Sequence, residues 1–234
     1  MPVIEFCDKL GEWVVQTDSA GGKLKPVTES RDRIIEAAAE LFLGGSFHKV
    51  GIAEICEVAR VNKGTFYHFF ASKLDLLLEV IDRYAAECRS ALSGVAASGD
   101  TPERKLMALF SVPRVRNEEW KTLYGNATGC FLGNVVLEMG ANEPVVRERL
   151  EKALCDLTSV MQPVVEDYLK QVLGNEKVSV SAVRDAADIV MTLIQGAQVQ
   201  AKARNDPAVF DRYAAIAPAM ISSATTRRGS EDAD

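Results

Sequence analysis

The chain has 234 residues, of which 47% are hydrophobic and 26% charged, and its 33 acidic side chains outnumber its 27 basic ones. This length and apolar fraction are enough for one or two buried cores. The acidic balance argues against a protein that coats nucleic acid through a global basic field. The five cysteines contain no CxxC pair, so we expect neither a disulfide framework nor a metal site, and no cofactor.

Targeting signals are not expected. The sequence contains no apolar run that approaches the ~20 residues needed to span a bilayer. Its first residues lack the basic segment and apolar core of a secretory signal. We therefore predict a cytoplasmic protein without a membrane partner.

Amphipathic patterning predicts the first two helices. Residues Thr28 to Leu43 carry a helical apolar stripe that ends at Gly44 and Gly45. A short helix over residues 52–59 follows, also with one apolar face. The two stripes consist of Ile34, Ala38, Leu41 and Phe42 in the first helix, and of Ile52, Ile55, Cys56 and Ala59 in the second.

A third helix is predicted from Lys63 to about Phe70, directly after a turn at Arg60. Asn62 is suited to cap it, because its side-chain oxygen can accept a free amide of the first turn. Two short helices joined by a tight turn form a helix-turn-helix, here at about residues 51–70, whose second helix lies in the major groove of DNA. The segment RVNKGTFYHFFASKL, which begins at Arg60, holds cations and aromatic residues but no acid, which favours phosphate contact.

Charge in this region is local, since residues 28–90 carry eight basic and ten acidic side chains. Ser72 and Asp75 fit a capping box that opens a fourth helix, ending near Leu92. Residues 1–27 are predicted to be a flexible extension. Two alternatives remain open for its last cations, Lys23 and Lys25: a basic arm in the minor groove, or part of a disordered leader.

Helical periodicity without strand alternation continues over the body, residues 89–222. Pro102 is predicted to begin one helix and Pro113 to break it. Another helix is predicted from about Asn117 to Met139, with three glycines on one face that either permit close helix packing or leave room for a ligand. These glycines are Gly125, Gly129 and Gly133.

Three further helices complete the predicted body. One runs from Pro144 to about Leu173 with a kink at Pro163. The others are residues 181–204 and a last helix from Pro207 to near Ser222. The polar residues 223–234 are predicted to be a disordered tail.

The stretch from Thr28 to about Cys88 resembles the tetracycline-repressor (TetR) family of transcriptional regulators. The resemblance is carried by TESRDRIIEAAAELF, by GSFHKVGIAEICEVARVNKGTFYHFF and by ASKLDLL. It implies an all-α protein in which a three-helix DNA-binding domain, residues 28–88, is linked by its fourth helix to a helical body. It also implies a ligand-responsive regulator, by default a repressor, that binds a palindromic operator as a homodimer and is released by a small-molecule effector.

The resemblance assigns DNA contacts to the helix-turn-helix and to the start of the fourth helix. Two positions depart from the family pattern. Val50-Gly51 replaces the Thr or Ser that usually caps the second helix and bonds a phosphate, and Arg60 replaces the usual turn glycine. The expected DNA-contacting residues are Gly51, Arg60, Lys63, Gly64, Thr65, Tyr67, His68 and Lys73.

The body is expected to bind the effector. Its segment GNATGCFLGNVVLEM resembles a motif found in a subset of the family's C-terminal domains, which sense small organic molecules. Cys130 is either a small buried hydrophobe or a sensor of reactive electrophiles, which would require partial exposure and a lowered pKa. The candidate pocket residues, each of which could also be ordinary core, are Trp120, Tyr124, Cys130, Phe131, Met139, Met161 and Tyr168.

The last two helices are expected to form a four-helix dimer interface, as the resemblance implies. The alternative is that their apolar face packs only against its own body. The residues assigned to the interface are Val190, Ile194, Gly196, Ala197 and Ala201.

Enzymatic activity is not expected. The only histidines, His48 and His68, lie in the predicted DNA-binding domain, and GxSxG, GxxxxGK[ST] and GxGxxG are all absent from the sequence. The main alternative to a regulator is a non-enzymatic architectural DNA-binding protein, and DNase protection confined to one palindrome would distinguish the two.

Overall fold

The computed structural model describes the backbone of residues 27–174 and 178–231, and the side chains of residues 29–174 and 178–223. Within these ranges it contains helices and no strand, which confirms the predicted all-α class. The helices are α1 Val27–Gly44, α2 Ile52–Val58, α3 Lys63–Phe69, α4 Lys73–Ala96, α5 Pro102–Tyr124, α6 Phe131–Met139, α7 Pro144–Leu173, α8 Val180–Arg204 and α9 Val209–Glu231.

The chain folds as two compact units that divide between Val80 and Ile81, within α4. The boundary predicted at residues 88 and 89 lies further along the same helix. Among the described residues, no helix is both long enough and apolar enough to cross a membrane.

The first unit is built from α1, α2, α3 and the start of α4. Its core contains large apolar side chains that are fully buried, which fits the predicted stripes. Burying each contributes about 1.5–3 kcal/mol relative to exposure, enough to hold three short helices together. These residues are Ile34, Ile55, Phe66, Leu76 and Leu77.

The second unit contains the rest of α4 and α5 to α9, with α8 and α9 packed against each other and against α5 and α7. Its core combines large side chains on α5, α7 and α9 with small ones on α8, which let neighbouring helices approach closely. Examples that are 0–1% exposed are Leu106, Leu109, Phe110, Val165, Leu169, Ala187, Ala197, Ala201 and Phe210.

The prediction that Pro113 breaks the first helix of the body was wrong, because α5 continues through it to Tyr124. A proline inside a helix removes one N–H donor and weakens the helix locally. Here Leu109 and Phe110 before the proline and Asn117 after it are all buried. Both halves are therefore held on the same core, which offsets the lost hydrogen bond.

The prediction of one glycine-striped helix over residues 117–139 was also wrong. Gly125 and Gly129 have φ values of +83° and +73°, so they lie in the left-handed region and cannot continue a helix. Gly125 ends α5, and only Gly133 is helical, in α6. A stripe inferred from spacing alone requires an unbroken helix, and here the helix is interrupted.

Other helices differ less from their predicted bounds. α7 does contain Pro163, and the kink there stays a prediction. α9 continues to Glu231, past the end predicted near Ser222, so residues 223–231 are helical rather than a disordered tail. The prediction of a disordered tail relied on polar composition, which does not by itself prevent helical hydrogen bonds. The predicted extension, residues 1–27, apart from the backbone of Val27, and residues 232–234 lie outside the described residues.

The turn between α2 and α3 generates the first testable prediction. Arg60 has φ +52°, a conformation that costs a non-glycine residue about 1–2 kcal/mol. Arg60→Gly should therefore stabilise this turn by about 1 kcal/mol, slowing amide exchange at the end of α2 about fivefold. Hydrogen exchange followed by mass spectrometry measures this. Arg60→Ala, which keeps a Cβ, is the control, and equal exchange in the two variants would show that the turn is not strained.

Candidate DNA interface and effector site

The turn between α2 and α3 is closed by backbone hydrogen bonds in a fixed pattern. The Val61 amide donates to the Cys56 carbonyl at 2.9 Å, and the Arg60 amide donates to Glu57 at 3.1 Å. This is the Schellman arrangement, whose left-handed position is usually glycine. Arg60 occupies that position, so its side chain leaves the turn at a fixed point and is exposed.

The N-terminus of α3 is capped as predicted. The Asn62 side-chain oxygen accepts from the Thr65 amide at 2.8 Å and from the Thr65 hydroxyl at 3.2 Å. Phe66 and Phe70 bury the inner face of α3, which leaves the opposite face to solvent. Thr65 is half-buried, and the exposed residues on α3 are Lys63, Gly64, Tyr67 and His68.

The start of α2 departs from the family pattern in the way that the sequence indicated. Gly51 is its N-cap, with extended backbone and no side-chain hydrogen bond to the first turn. Gly51 is exposed, and an added Cβ would meet nothing within 4 Å. Gly51 can therefore offer a phosphate its backbone only.

Lys73 has a structural role that the sequence did not reveal. Its Nζ donates to the carbonyls of Phe47 at 2.7 Å and Val50 at 2.9 Å, and it lies 4.2 Å from the centre of the Phe47 ring. The ammonium thereby ties the start of α4 to the segment before α2. A phosphate contact by Lys73 stays a prediction, and any such contact would share the ammonium with these carbonyls.

In the second unit, the segment from Gly125 to Cys130 is held by asparagines at both sides. Asn205, which caps α8, accepts from the Ala127 amide at 2.8 Å and donates to the Gly125 carbonyl at 2.9 Å. Asn117 on α5 accepts from the Gly129 amide at 2.8 Å. These bonds tie the loop to α5 and to the end of α8, and the loop ends with Cys130 at the N-cap of α6.

Asn117 also joins a buried amide pair. Its nitrogen donates to the Pro113 carbonyl at 2.9 Å and to the Gln198 side chain at 3.2 Å. Asn117 and Gln198 are 1% and 6% exposed. Buried amides of this kind are stable only when hydrogen-bonded, so this pair fixes α5 against α8.

A cluster of polar groups surrounds the Arg116 guanidinium. Nη1 of Arg116 lies 3.5 Å from the Cys88 sulfur, and Nη2 lies 3.5 Å from a Glu87 oxygen. The guanidinium also stands 4.5 Å from the centre of the Tyr84 ring. Tyr84 in turn packs against Phe131, with 5.2 Å between ring centres. We call Tyr84, Glu87, Cys88, Arg116, Cys130 and Gln195 the Arg116 cluster.

Burial governs the pKa values in the Arg116 cluster. It raises the pKa of Cys88 to about 11, although the Arg116 charge opposes the shift. Burial also raises the pKa of Tyr84. For Arg116, burial lowers the pKa, but Cys88, Tyr84 and Glu87 raise it by more, so the guanidinium stays charged. The cluster thus holds one permanent cation beside neutral thiol and phenol groups.

Cys130 does not meet the two requirements for an electrophile sensor. It is 7% exposed, and burial raises the pKa of its thiol despite hydrogen bonds from Gly133 and Gln195. The thiolate is the nucleophilic form, so the resting Cys130 is a poor nucleophile. The bland interpretation, a small buried residue that caps α6, agrees with the structure.

The other candidate pocket residues fall into two groups. Trp120 and Tyr124 stack with 4.4 Å between ring centres at the end of α5, where Tyr124 is 46% exposed. Phe131, Met139, Met161 and Tyr168 are buried. Of these four, Phe131 contacts a member of the Arg116 cluster, while Tyr168 hydrogen-bonds with Ser222.

Sequence reasoning missed the polar residues of the body, because it followed apolar stripes. The signal that could have identified them was a polar side chain at a position that the apolar stripe predicts to be buried. The missed residues are Tyr84, Cys88, Arg116, Asn117, Gln195 and Gln198.

The assignment of the dimer interface was wrong for four of its five residues. Val190, Ile194, Ala197 and Ala201 are 0–4% exposed within one protomer, so a partner cannot contact them. Their burial fits the alternative, that this face packs against its own body. Only Gly196 lies outside, where an added Cβ would meet nothing within 4 Å.

Comparison with known proteins decides the family. A model described as "Bacterial regulatory proteins, tetR family" matches residues 34–80, and one described as "Tetracyclin repressor-like, C-terminal domain" matches residues 102–217. The chain belongs to the TetR family. The two matches cover both units, so the resemblance seen in the first third of the sequence extends over the body.

Individual TetR-family relatives agree. The transcriptional regulator AcuR of Cereibacter sphaeroides is 34% identical over 108 residues, 46% of this chain and 48% of AcuR, so the match spans about half of that relative. The transcriptional repressor DhaR of a Mycobacterium species is 23% identical over 81% of this chain and 90% of DhaR.

Solved TetR-family structures have the same fold. The regulatory protein TetR from Rhodobacter sphaeroides superposes with a TM-score of 0.68 and 25% identity, over 81% of this chain and 97% of that one. The reduced form of Escherichia coli NemR gives a TM-score of 0.67 with 20% identity, over 81% and 95% of the two chains, a likeness of fold alone.

The cysteines of this TetR-family protein should differ sharply in reactivity. Cys155 is exposed, whereas Cys130 is buried and the pKa of its thiol is raised. Iodoacetamide at neutral pH should therefore label Cys155 first, then Cys88, and the buried Cys56 and Cys130 most slowly, as measured by peptide mass spectrometry over time. Denatured protein, in which all labelling rates converge, is the control. Labelling of Cys130 as fast as Cys155 would restore the sensor hypothesis.

Proposed function

We propose that this TetR-family chain is a ligand-responsive transcriptional repressor that binds a palindromic DNA operator as a homodimer. The observation that carries the proposal is the outer face of α3, where Lys63, Tyr67 and His68 are exposed beside the exposed Arg60. The segment from Arg60 to Leu74 contains no acid. A short, capped helix with this face fits the major groove, where cations and hydroxyls meet phosphates and base edges.

Different residues of this face are suited to contact phosphates and base edges. Arg60 and the Tyr67 hydroxyl, at the edge of α3, suit phosphates, which position the protein without reading sequence. Lys63, Gly64 and Thr65 form the first turn of α3, the part of a recognition helix that approaches base edges. Gly64 is exposed, so the backbone there can come close to a base pair.

The outward face of α8 and α9 carries exposed apolar residues that suit a dimer interface. Val199 is 62% exposed, and Ile216 and Met220 are each 41% exposed. Beside them lie exposed small residues, which allow another helix to approach closely. These small residues are Thr192 and Gly196 on α8, and Ala215 and Ala219 on α9. A partner with the same face would pair with it around a two-fold axis.

Two-fold symmetry also serves DNA binding. One short recognition helix reads few base pairs, whereas two of them read half-sites that are separated by about one or more helical turns. Release by an effector then requires only that the effector prefer a different conformation of the body from the one that DNA prefers. α4 is one continuous helix from Lys73 to Ala96, so it is the element through which that preference is transmitted.

Removing the Lys63 charge tests the DNA face. Lys63→Ala should weaken operator binding, lower the slope of log affinity against log salt by about one, and relax the preference at one half-site position. Fluorescence anisotropy with operator fragments measures the affinity at several salt concentrations. Lys152→Ala, which removes a 71% exposed cation from α7, is the matched control and should leave the slope unchanged. Equal slopes in both variants would contradict the assigned face.

Placing a charge on α8 tests the dimer. Val199→Glu would bury carboxylates in the proposed interface, where unpaired charge is costly, so the protein should dissociate to monomers. Sedimentation velocity at micromolar concentration measures this. Val172→Glu is the control, because Val172 is 49% exposed on α7, outside the proposed interface. A Val199→Glu protein that remains dimeric would exclude this face.

A further inference from the structure

Arg116 is a cation with poor partners. It is largely buried, with 18% of its side chain exposed, and its carboxylate neighbour Glu87 lies 3.5 Å away, at the outer limit of a hydrogen bond. Its Nη1 contacts the Cys88 sulfur, also at 3.5 Å, and sulfur is a weak acceptor. The Tyr84 side chain is a further hydrogen-bond partner, and it is uncharged. A buried guanidinium normally has short bidentate bonds to oxygen.

The negative charge near Arg116 is also shared. Glu87 pairs with Arg83 at 3.6 Å as well as with Arg116. Glu119 interacts with Arg116 electrostatically, which opposes the rise in the pKa of Glu119 that burial causes. Neither carboxylate makes a short, exclusive pair with the guanidinium. The cation therefore retains capacity for a further anion.

Gln195 shows the same deficit independently. Its side-chain nitrogen donates to the Cys130 sulfur at 3.6 Å and to the Met191 sulfur at 3.7 Å. An amide donor that meets only thiol and thioether sulfur in a half-buried position gains little, because such bonds are weak. Two nitrogen donors, on α5 and α8, thus both contact sulfur: Arg116 contacts Cys88, and Gln195 contacts Cys130 and Met191.

We propose that Arg116 and Gln195 form a site for the carboxylate of a small organic acid, with Tyr84, Cys88, Cys130 and Phe131 around its apolar part. The carboxylate would replace weak bonds to sulfur with charge-assisted bonds to oxygen, which are about twice as strong as neutral ones. The partial exposure of Arg116 and Glu87 gives the acid a route from solvent.

This site deepens the proposed function, on which its regulatory consequence rests. Tyr84, Glu87 and Cys88 belong to α4, so an acid bound at Arg116 competes directly for contacts that hold this helix. Binding would then favour one position of α4 and oppose operator binding. The site itself does not depend on that coupling, and the two are tested separately.

The binding test compares acids with neutral analogues of the same shape. Butyrate and benzoate are titrated into the full-length protein by calorimetry, and butyramide and benzamide serve as the uncharged partners. At least one acid should bind at least about tenfold more tightly than its amide, since the lost charge-assisted bond is worth about 1.5–3 kcal/mol. Failure of both acids to bind, or equal affinity for acid and amide, overturns the proposal.

Variants locate the site. Arg116→Gln should weaken the acid about tenfold or more and leave amide binding unchanged. Arg114→Gln is the matched control, because Arg114 lies on the same helix but pairs with Glu118 and Asp211. Should Arg116→Gln fail to fold by circular dichroism, Gln195→Leu replaces it, with the same expected direction. Undiminished acid binding in the folded variant excludes the site.

Measurements of operator binding distinguish the carboxylate site from the proposed repressor function. A protein that binds operator but no carboxylate contradicts the acid site and leaves the regulator intact. Carboxylate binding that does not change operator affinity supports the site and removes the coupling through α4. Failure to bind any palindromic DNA would contradict the proposed function while the titrations still decide the site.

Discussion

The body depends on the carboxamide of Asn117, which is 1% exposed and is bonded to three parts of the fold. It joins the Pro113 carbonyl, Gln198 on α8 and the Gly129 amide. Each buried polar group left unpaired would cost about 1–3 kcal/mol. Loss of the Asn117 side chain would leave its partners unpaired at the same time. The carboxamide holds the loop that leads into α6, and with it the position of Cys130.

The sequence predicted the first unit well because short-range rules govern it. The Asn62 cap, the end of α1 at Gly44 and the position of the turn at Arg60 are each visible within a few residues. The body was harder, because Asn117 and Gly129 have partners that are distant in sequence, such as Gln198. Periodicity on α8 identified a buried face correctly, but it could not tell which neighbour buries that face.

Basic residues in the first unit divide into those that build the fold and those that face solvent. Lys73 donates hydrogen bonds to backbone carbonyls, and Arg31 pairs with Glu79 at 2.7 Å. Arg60 and Lys63 are exposed. A lysine that a family pattern assigns to DNA can therefore be needed for folding as well. A loss of operator affinity on changing Lys73 would combine both effects, whereas Lys63 separates them.

The exposed acids of α2 have a kinetic consequence. Glu54 and Glu57 are exposed, on the helix that directly precedes the acid-free α3. These acidic side chains repel the phosphates of a nearby DNA backbone. The net electrostatic interaction is therefore attractive only when α3 faces the groove. Sliding along random DNA relies on orientation-independent attraction. A protein charged in this way is therefore expected to search by frequent release and re-encounter, with short residence at wrong sites.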